Sequence, residues 1–197
     1  MSSIFLLLGG ARSGKSSYAE KMAKEMSDNV AYLATSEIID EEMEKRVRTH
    51  RKRRPSSWKT YEIESRYPNP GDFEKIFDLI LKNMHDVVII DCMTILLFRI
   101  IHEFKIDETD TISNELEKQI EKKVKEFFTK FLEICRKISA TKNIDFIIVS
   151  NEVGMGIVPA YPLGRIFRDV MGMINIMISG VSNEVYFFIA GNRIRIK

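Results

Sequence analysis

Hydrophobic residues in this chain come in short unbroken bursts, separated by stretches where they recur every third or fourth position. The bursts at 4–8, 30–33, 87–90 and 146–149 are rich in Val, Ile and Phe and do not alternate with polar residues. That is the pattern of strands covered on both faces, because a strand with one wet face alternates with a period of two. Amphipathic stretches lie between them. In the longest, from about 111 to 140, Ile112, Leu116, Ile120, Val124, Phe127, Phe131 and Cys135 fall at mostly four-residue steps, opposite a face of Glu and Lys. Strand and helix in alternation predict an α/β domain with a mainly parallel sheet flanked by helices. The end of the chain reads differently. Segments 185–190 and 194–196 flank Gly191-Asn192, which predicts a C-terminal antiparallel hairpin. Tyr67-Pro68-Asn69-Pro70-Gly71 reads as a loop, too short to act as an interdomain linker, and no repeat, low-complexity tract or Gly/Ser linker interrupts the chain. Residues 1–197 are therefore expected to form a single domain.

Composition narrows the class. A chain of 197 residues, 45% hydrophobic and 29% charged, can close a core, which argues against wholesale disorder. No apolar run approaches the roughly 20 residues of a membrane-spanning helix. Met1-Ser2-Ser3 also lacks the charged region that opens a secretory leader, so neither membrane insertion nor export is expected. The two cysteines, Cys92 and Cys135, stand in apolar settings and encode no disulfide framework or zinc cluster. A soluble cytoplasmic protein is the expectation. With 30 Lys+Arg against 28 Asp+Glu, net charge gives no case for general nucleic-acid binding.

Candidate chemistry begins after the first burst. Gly9-Gly10-Ala11-Arg12-Ser13-Gly14-Lys15-Ser16 fits G-x-x-x-x-G-K-[ST], with a strand before it and a helical segment bearing Tyr18, Ala19 and Met22 after it. Glycines allow successive backbone N–H groups to turn toward phosphate oxygens, and the helix N-terminus adds partial positive charge. Lys15 is then placed for the β/γ phosphates and the Ser16 hydroxyl for Mg²⁺. The bland alternative is a glycine-rich turn without a ligand. Asp91 ends the 87–90 burst, the usual place for a carboxylate that supports Mg²⁺ beside such a loop; otherwise it caps the helix opening at Thr94.

A second feature is a basic run, 45–54, that holds Lys45, Arg46, Arg48, Arg51, Lys52, Arg53 and Arg54, no acid, and His50. Three readings stand side by side: a solvated surface face, a nucleic-acid patch, or a catalytic histidine. In the third, neighbouring cations favour neutral, nucleophilic imidazole and gather a triphosphate. A RecA-like ATPase or nucleic-acid-binding module using 45–54 is the rival function, although no aromatic residue lies within the run for base stacking. His85 and His102 sit beside ordinary helix ends and read as structural or solvent-exposed.

Taken together, the landmarks resemble the bifunctional adenosylcobinamide kinase / adenosylcobinamide-phosphate guanylyltransferase family over nearly the full length. They are the phosphate loop, Tyr32-Leu33-Ala34-Thr35-Ser36, Arg46-Val47-Arg48-Thr49-His50-Arg51 leading to Arg54-Pro55 and Trp58, Asp91-Cys92-Met93-Thr94, and Asn151-Glu152-Val153-Gly154-Met155-Gly156-Ile157-Val158-Pro159. Phe167-Arg168-Asp169, Gly172, Asn175 and Asn183-Glu184-Val185 follow. The resemblance implies a RecA-like P-loop NTPase fold, a homotrimer and two reactions. A nucleoside triphosphate, ATP or GTP, phosphorylates adenosylcobinamide. GTP then guanylylates a histidine, and GMP passes to adenosylcobinamide phosphate, giving adenosylcobinamide-GDP and releasing pyrophosphate. His50 matches the GMP-carrying histidine, with Lys15 as the second catalytic residue. Gly9, Gly10, Ala11, Arg12, Ser13, Gly14, Lys15, Ser16, Ala34, Thr35, Ser36, Arg51, Lys52, Arg53, Arg54, Glu62 and Asp91 fall on nucleotide-binding positions, with Ser16 and Asp91 as metal ligands. Glu62 is suited to reading guanine, because a carboxylate can accept from N1–H and N2–H₂; its other reading is an exposed acid in a strand. Glu152 either holds a metal-bound water or caps the turn at Gly154.

The chain departs from the family pattern at Leu96-Leu97-Phe98-Arg99-Ile100-Ile101 and at Met173-Ile174-Asn175-Ile176. Both changes bear on corrinoid binding or on a subunit interface. Met155, Met171, Met173 and Met177 read either as an apolar surface for a corrin ring or as core and interface filling.

Overall fold

In the computed structural model, which describes residues 2–36, 54–107 and 111–197, the apolar bursts are strands. They are β1 (Ile4–Gly9), β2 (Val30–Ala34), β4 (Val87–Asp91) and β5 (Asp145–Asn151), joined by a shorter β3 (Lys59–Glu62) and by β6 (Glu184–Ile189) and β7 (Asn192–Arg195). One sheet runs in the order β3-β2-β4-β5-β1-β6-β7. All neighbours are parallel except β6 and β7, which form the expected terminal hairpin. Five helices are described: α1 (Lys15–Met26), α2 (Pro70–Lys82), α3 (Met93–His102), α4 (Asn114–Lys142) and α5 (Pro162–Val181).

Pleating divides the strand residues between two cores. Ile4, Leu6, Leu33, Val88, Ile90, Phe146 and Ile148 face a large apolar cluster shared with α2, α3, α4 and α5. Phe5, Leu7, Tyr32, Ala34, Val87, Ile89, Ile147 and Val149 face a smaller one shared with α1. Burial on both faces is why these strands read as continuous apolar runs. Aromatic edges fill the large core: Phe73 meets Phe131 at 4.9 Å between ring centroids and 75°, and Phe77 meets Phe146 at 5.8 Å and 83°.

Two elements differ from the sequence reading. The stretch expected to be loop at 67–71 already contains the first two residues of α2, Pro70 and Gly71. Asn69 caps that helix by accepting from the Gly71 N–H at 2.9 Å, while Asp72 accepts from the Asn69 N–H at 3.0 Å. Pro70 fits the first helical position because the N–H it lacks would have no partner there. The departure segment on α3 is mostly core: Leu96, Leu97, Ile100 and Ile101 are buried, and Arg99 is only 4% exposed. Its guanidinium donates to the carbonyls of Thr35 at 2.8 Å, Ile63 at 3.0 Å and Ser65. A charge is tolerated in that core because the planar fork meets several carbonyls that would otherwise lack donors.

Candidate active site

β1 brings the chain to the carboxyl end of the sheet at Gly9, and α1 departs from Lys15. The backbone between them turns through Gly14 at φ 98, a left-handed conformation that suits a residue without Cβ. At Gly9 an added Cβ would lie 2.5 Å from the Phe188 carbonyl oxygen, so the close approach of β6 demands glycine. The hairpin also braces the loop from outside, because the Gly191 N–H donates to the Ser13 carbonyl at 3.2 Å. Lys15 is 5% exposed. Its ammonium donates to the carbonyls of Gly9 at 2.8 Å and Gly10 at 2.6 Å, and to the Ser13 hydroxyl at 3.3 Å. Burial pushes its pKa below the ordinary lysine value, with Asp91 among the opposing influences.

Asp91 stands across from this loop. Val87 and Ile89 point to the α1 side of the sheet, so alternation carries Asp91 to the same face as the loop. Tyr32, on that face of the neighbouring strand, donates its hydroxyl to Asp91 Oδ2 at 2.7 Å. Burial and the Asp91 carboxylate hold the Tyr32 phenol well above its usual pKa, so it remains a donor. The backbone here is gripped by Thr35, which is fully buried. Its hydroxyl donates to the Cys92 carbonyl at 2.7 Å and accepts from the Cys92 N–H at 2.8 Å, and its own N–H donates to the Asp91 carbonyl at 3.2 Å. Arg99 then holds the Thr35 carbonyl from behind. Cys92 rather than Asp91 precedes α3 as its cap residue, and no side-chain cap bond forms there. Asp91 is thereby left to the cavity.

The third wall is the end of β5. The Asn151 N–H donates to Thr94 Oγ1 at 3.1 Å, and its carbonyl accepts from Asn175 Nδ2 at 3.1 Å. Glu152 accepts from the Gly154 N–H at 2.5 Å, the turn-capping arrangement. Loop, Asp91 and β5 enclose a cavity of about 590 Å³ whose lining includes Ser13, Lys15, Ser16, Asp91, Cys92 and Asn151.

Of the residues singled out from sequence, Ala11, Arg12, Ser13, Gly14, Lys15, Ser16 and Asp91 therefore share one cavity, with Gly9 and Gly10 leading into it. Ala34 and Thr35 are buried beside Asp91, and Ser36 is half-buried. Glu62 ends β3 at the same sheet edge but four strand positions from β1, roughly 19 Å across, and does not line the cavity. His50, Arg51, Lys52 and Arg53 lie outside the described residues. Arg54 is described: its guanidinium carbon lies 3.2 Å from the Tyr32 ring centroid and its Nε 3.6 Å from Glu20 Oε1 on α1. His85 is buried with its Nε2 3.0 Å from the Tyr61 hydroxyl, and exposed His102 stacks on Phe98 at 5.7 Å; neither reaches the cavity. Sequence reasoning did not find Tyr32 and Arg99 as supports of the site. Their partners lie 59 and 64 residues away from them, and only strand order brings them together.

The donor set suits a hard cation beside phosphate. Ser16 and Asp91 offer oxygens only, and Tyr32 engages one carboxylate oxygen, leaving the second for another partner. A sequence profile described as cobinamide kinase / cobinamide phosphate guanyltransferase, CobU, matches residues 5–196. The chain belongs to this family. The bifunctional adenosylcobalamin biosynthesis protein CobU of Escherichia coli K12 is 33% identical over 197 residues, covering 98% of this chain and 99% of that protein. The bifunctional adenosylcobalamin biosynthesis protein CobP of Pseudomonas aeruginosa is 32% identical over 190 residues, covering 94% and 92%. A solved ATPase from the type III secretion system of pathogenic bacteria shares the fold alone, with a TM-score of 0.51 at 8% identity, over 95% of this chain and 52% of that one. The cobinamide kinase / guanyltransferase chain thus carries its phosphate loop on a mainly parallel sheet of the same fold as that ATPase. Among the described residues, no helix is long and apolar enough to cross a membrane.

Proposed function

We propose that this chain phosphorylates adenosylcobinamide and then transfers GMP from GTP, by way of His50, to adenosylcobinamide phosphate. The observation that carries the reading is the cavity in which a phosphate loop faces Asp91, in a chain whose family match spans 5–196. Loop N–H groups and Lys15 bind the β and γ phosphates of the nucleoside triphosphate. Mg²⁺ held by Ser16 and Asp91 neutralises phosphate charge when bound. In the kinase step the acceptor oxygen bonds to the γ-phosphorus as the bond to the β-bridging oxygen breaks. In the transferase step an imidazole nitrogen of His50 bonds to the α-phosphorus and pyrophosphate leaves, held by the same loop. The resulting P–N bond then breaks as the phosphate oxygen of adenosylcobinamide phosphate attacks. Placement and charge neutralisation supply most of the acceleration in such transfers.

Arg54 supports this reading over a nucleic-acid patch. It is the one described member of the basic run, and it is turned inward onto Tyr32 and Glu20 rather than outward toward a polymer. Glu62 reads guanine from the far edge of the sheet. The catalytic unit is a homotrimer, supported by exposed apolar side chains on the 152–161 turn and on α5: Ile157 is 96% exposed, and Met155, Val158 and Ile176 are also uncovered. Light scattering should return three times the chain mass, and a monomer would exclude the trimer.

Isotope transfer tests the function. Label in the γ position should appear in adenosylcobinamide phosphate, and label in the α position of GTP should appear in adenosylcobinamide-GDP with stoichiometric pyrophosphate. Absence of both products removes the reading. In the same assay Glu62→Ala should lose the preference for GTP over ATP in the α-label arm alone.

A further inference from the structure

The end of β5 is built with more care than a phosphate loop and a carboxylate require. Ile147 and Val149 lie on the α1 side of the sheet, so the pleat places Asn151 on that side as well, in the wall of the phosphate cavity. Ser150 takes the opposite face and is fully buried against α5. There its hydroxyl donates to Asn175 Oδ1 at 2.6 Å, while Asn175 Nδ2 donates to the Asn151 carbonyl at 3.1 Å. Asn175 is 6% exposed in a helix whose other inward residues include Ile166, Val170, Met171, Ile174 and Ile178. An amide in that setting costs free energy unless both its ends are matched, and both are matched to β5. Thr94 fixes Asn151 from the other side by accepting its N–H at 3.1 Å. The Asn151 peptide is therefore held from both α3 and α5.

Strand register says what it is held for. Asn151 pairs with Gly9, the first residue of the loop, and Asp91 pairs with Val149, two positions earlier on the same strand. Asn151 thus stands beside the loop entrance and beyond the carboxylate that marks the metal position. A carboxylate there would repel a triphosphate, and an apolar side chain would offer it nothing. A neutral amide supplies one donor and one acceptor at once.

We propose that Asn151 is a catalytic residue of the kinase step. Its Nδ2–H donates to a γ-phosphate oxygen, its Oδ1 accepts from the acceptor hydroxyl, and Asn175 is the positioning residue that aims it. The assignment rests on the kinase half of the function proposed above. The hydroxyl oxygen forms the new bond to the γ-phosphorus, the bond to the β-bridging oxygen breaks, and the nucleoside diphosphate leaves. The hydroxyl proton departs with a non-bridging oxygen of the transferred phosphate, since an amide cannot take it. In the GMP transfer the γ-phosphate belongs to the leaving group and its contact with Asn151 is present before and during reaction, so that step gains little from it.

Two measurements decide the matter. In calorimetric titrations with Mg²⁺ and no acceptor, the wild type should bind α,β-methylene-GTP, whose α–β bridge His50 cannot cleave, more tightly than α,β-methylene-GDP, and Asn151→Ala should lose about tenfold of that preference. In kinase assays, Asn151→Ala should lower kcat about 10- to 100-fold while GMP loading of the enzyme falls far less. Asn175→Leu, which keeps size and removes the donor, should lower kinase kcat with little change in nucleotide KM; mere loosening of the fold would depress both activities together. Retention of the triphosphate preference by Asn151→Ala, or an equal loss of both activities, would overturn the assignment. A wild type that makes no adenosylcobinamide phosphate would instead defeat the kinase reading, and the binding comparison would still decide the γ-phosphate contact.

Discussion

Incubated with Mg-GTP and weighed intact, the wild-type chain should gain the mass of one GMP, and His50→Ala should gain none. The expected loss is complete rather than partial, because the step is a covalent bond to one nitrogen and no neighbouring side chain in 45–54 can replace it: lysine and arginine there remain protonated and are poor nucleophiles at neutral pH. Only a neutral imidazole carries the lone pair that attacks, so loading should slow as acid protonates the ring. The adduct should be labile to acid and stable to mild base, as a P–N bond is. Phosphorylation of adenosylcobinamide should persist in His50→Ala, because γ-phosphoryl transfer does not pass through the imidazole. An adduct that survives the substitution would move the carrier to another residue.

Lys15→Ala should lower both activities, by about 10²–10³-fold or more in kcat for each, since in the proposed mechanism one cation serves the γ-phosphoryl transfer and the pyrophosphate leaving group alike. Stability should move the other way or hardly at all. Burial lowers the Lys15 pKa, so the folded state holds the charged form at a cost at neutral pH. Deleting the side chain removes that cost, although it leaves the carbonyls of Gly9 and Gly10 without their donor. Thermal unfolding should therefore show a Tm within a few degrees of wild type, roughly the span of 1 kcal/mol in a chain of this size. Asp91→Asn makes a useful partner: it can still accept from Tyr32 and should fold, yet should lose metal-dependent activity. A steep fall in Tm with either variant would mean that the catalytic loss reflects a disrupted loop.

What could be read in advance follows from where each signal is written. Strands buried on both faces announce themselves as unbroken Val/Ile/Phe runs, and the phosphate loop is contiguous, so β1, β2, β4, β5 and the loop were legible. β3 was legible only through Glu62, one of whose readings was an exposed acid in a strand; the bounds of Lys59-Thr60-Tyr61-Glu62 were not, because four residues of mixed polarity at the sheet edge carry no apolar run. Arg99 was equally opaque. Within an apolar helix it reads as an exposed charge, and only the folded arrangement of the Thr35, Ile63 and Ser65 carbonyls explains its burial. The Tyr32–Asp91 bond needed knowledge that β2 lies next to β4. Glu152 had two readings in sequence, and one of its carboxylate oxygens caps the Gly154 N–H. The role proposed for His50 rests on the local motif around it, which lies outside the described residues.

The contact between Gly191 and Ser13 has a practical consequence. Whatever adjustment the loop makes on taking up a triphosphate is shared directly with a surface turn whose next residue, Asn192, is exposed. A dye attached at that turn would test whether the loop shifts when a triphosphate is taken up, while the reacting groups stay untouched.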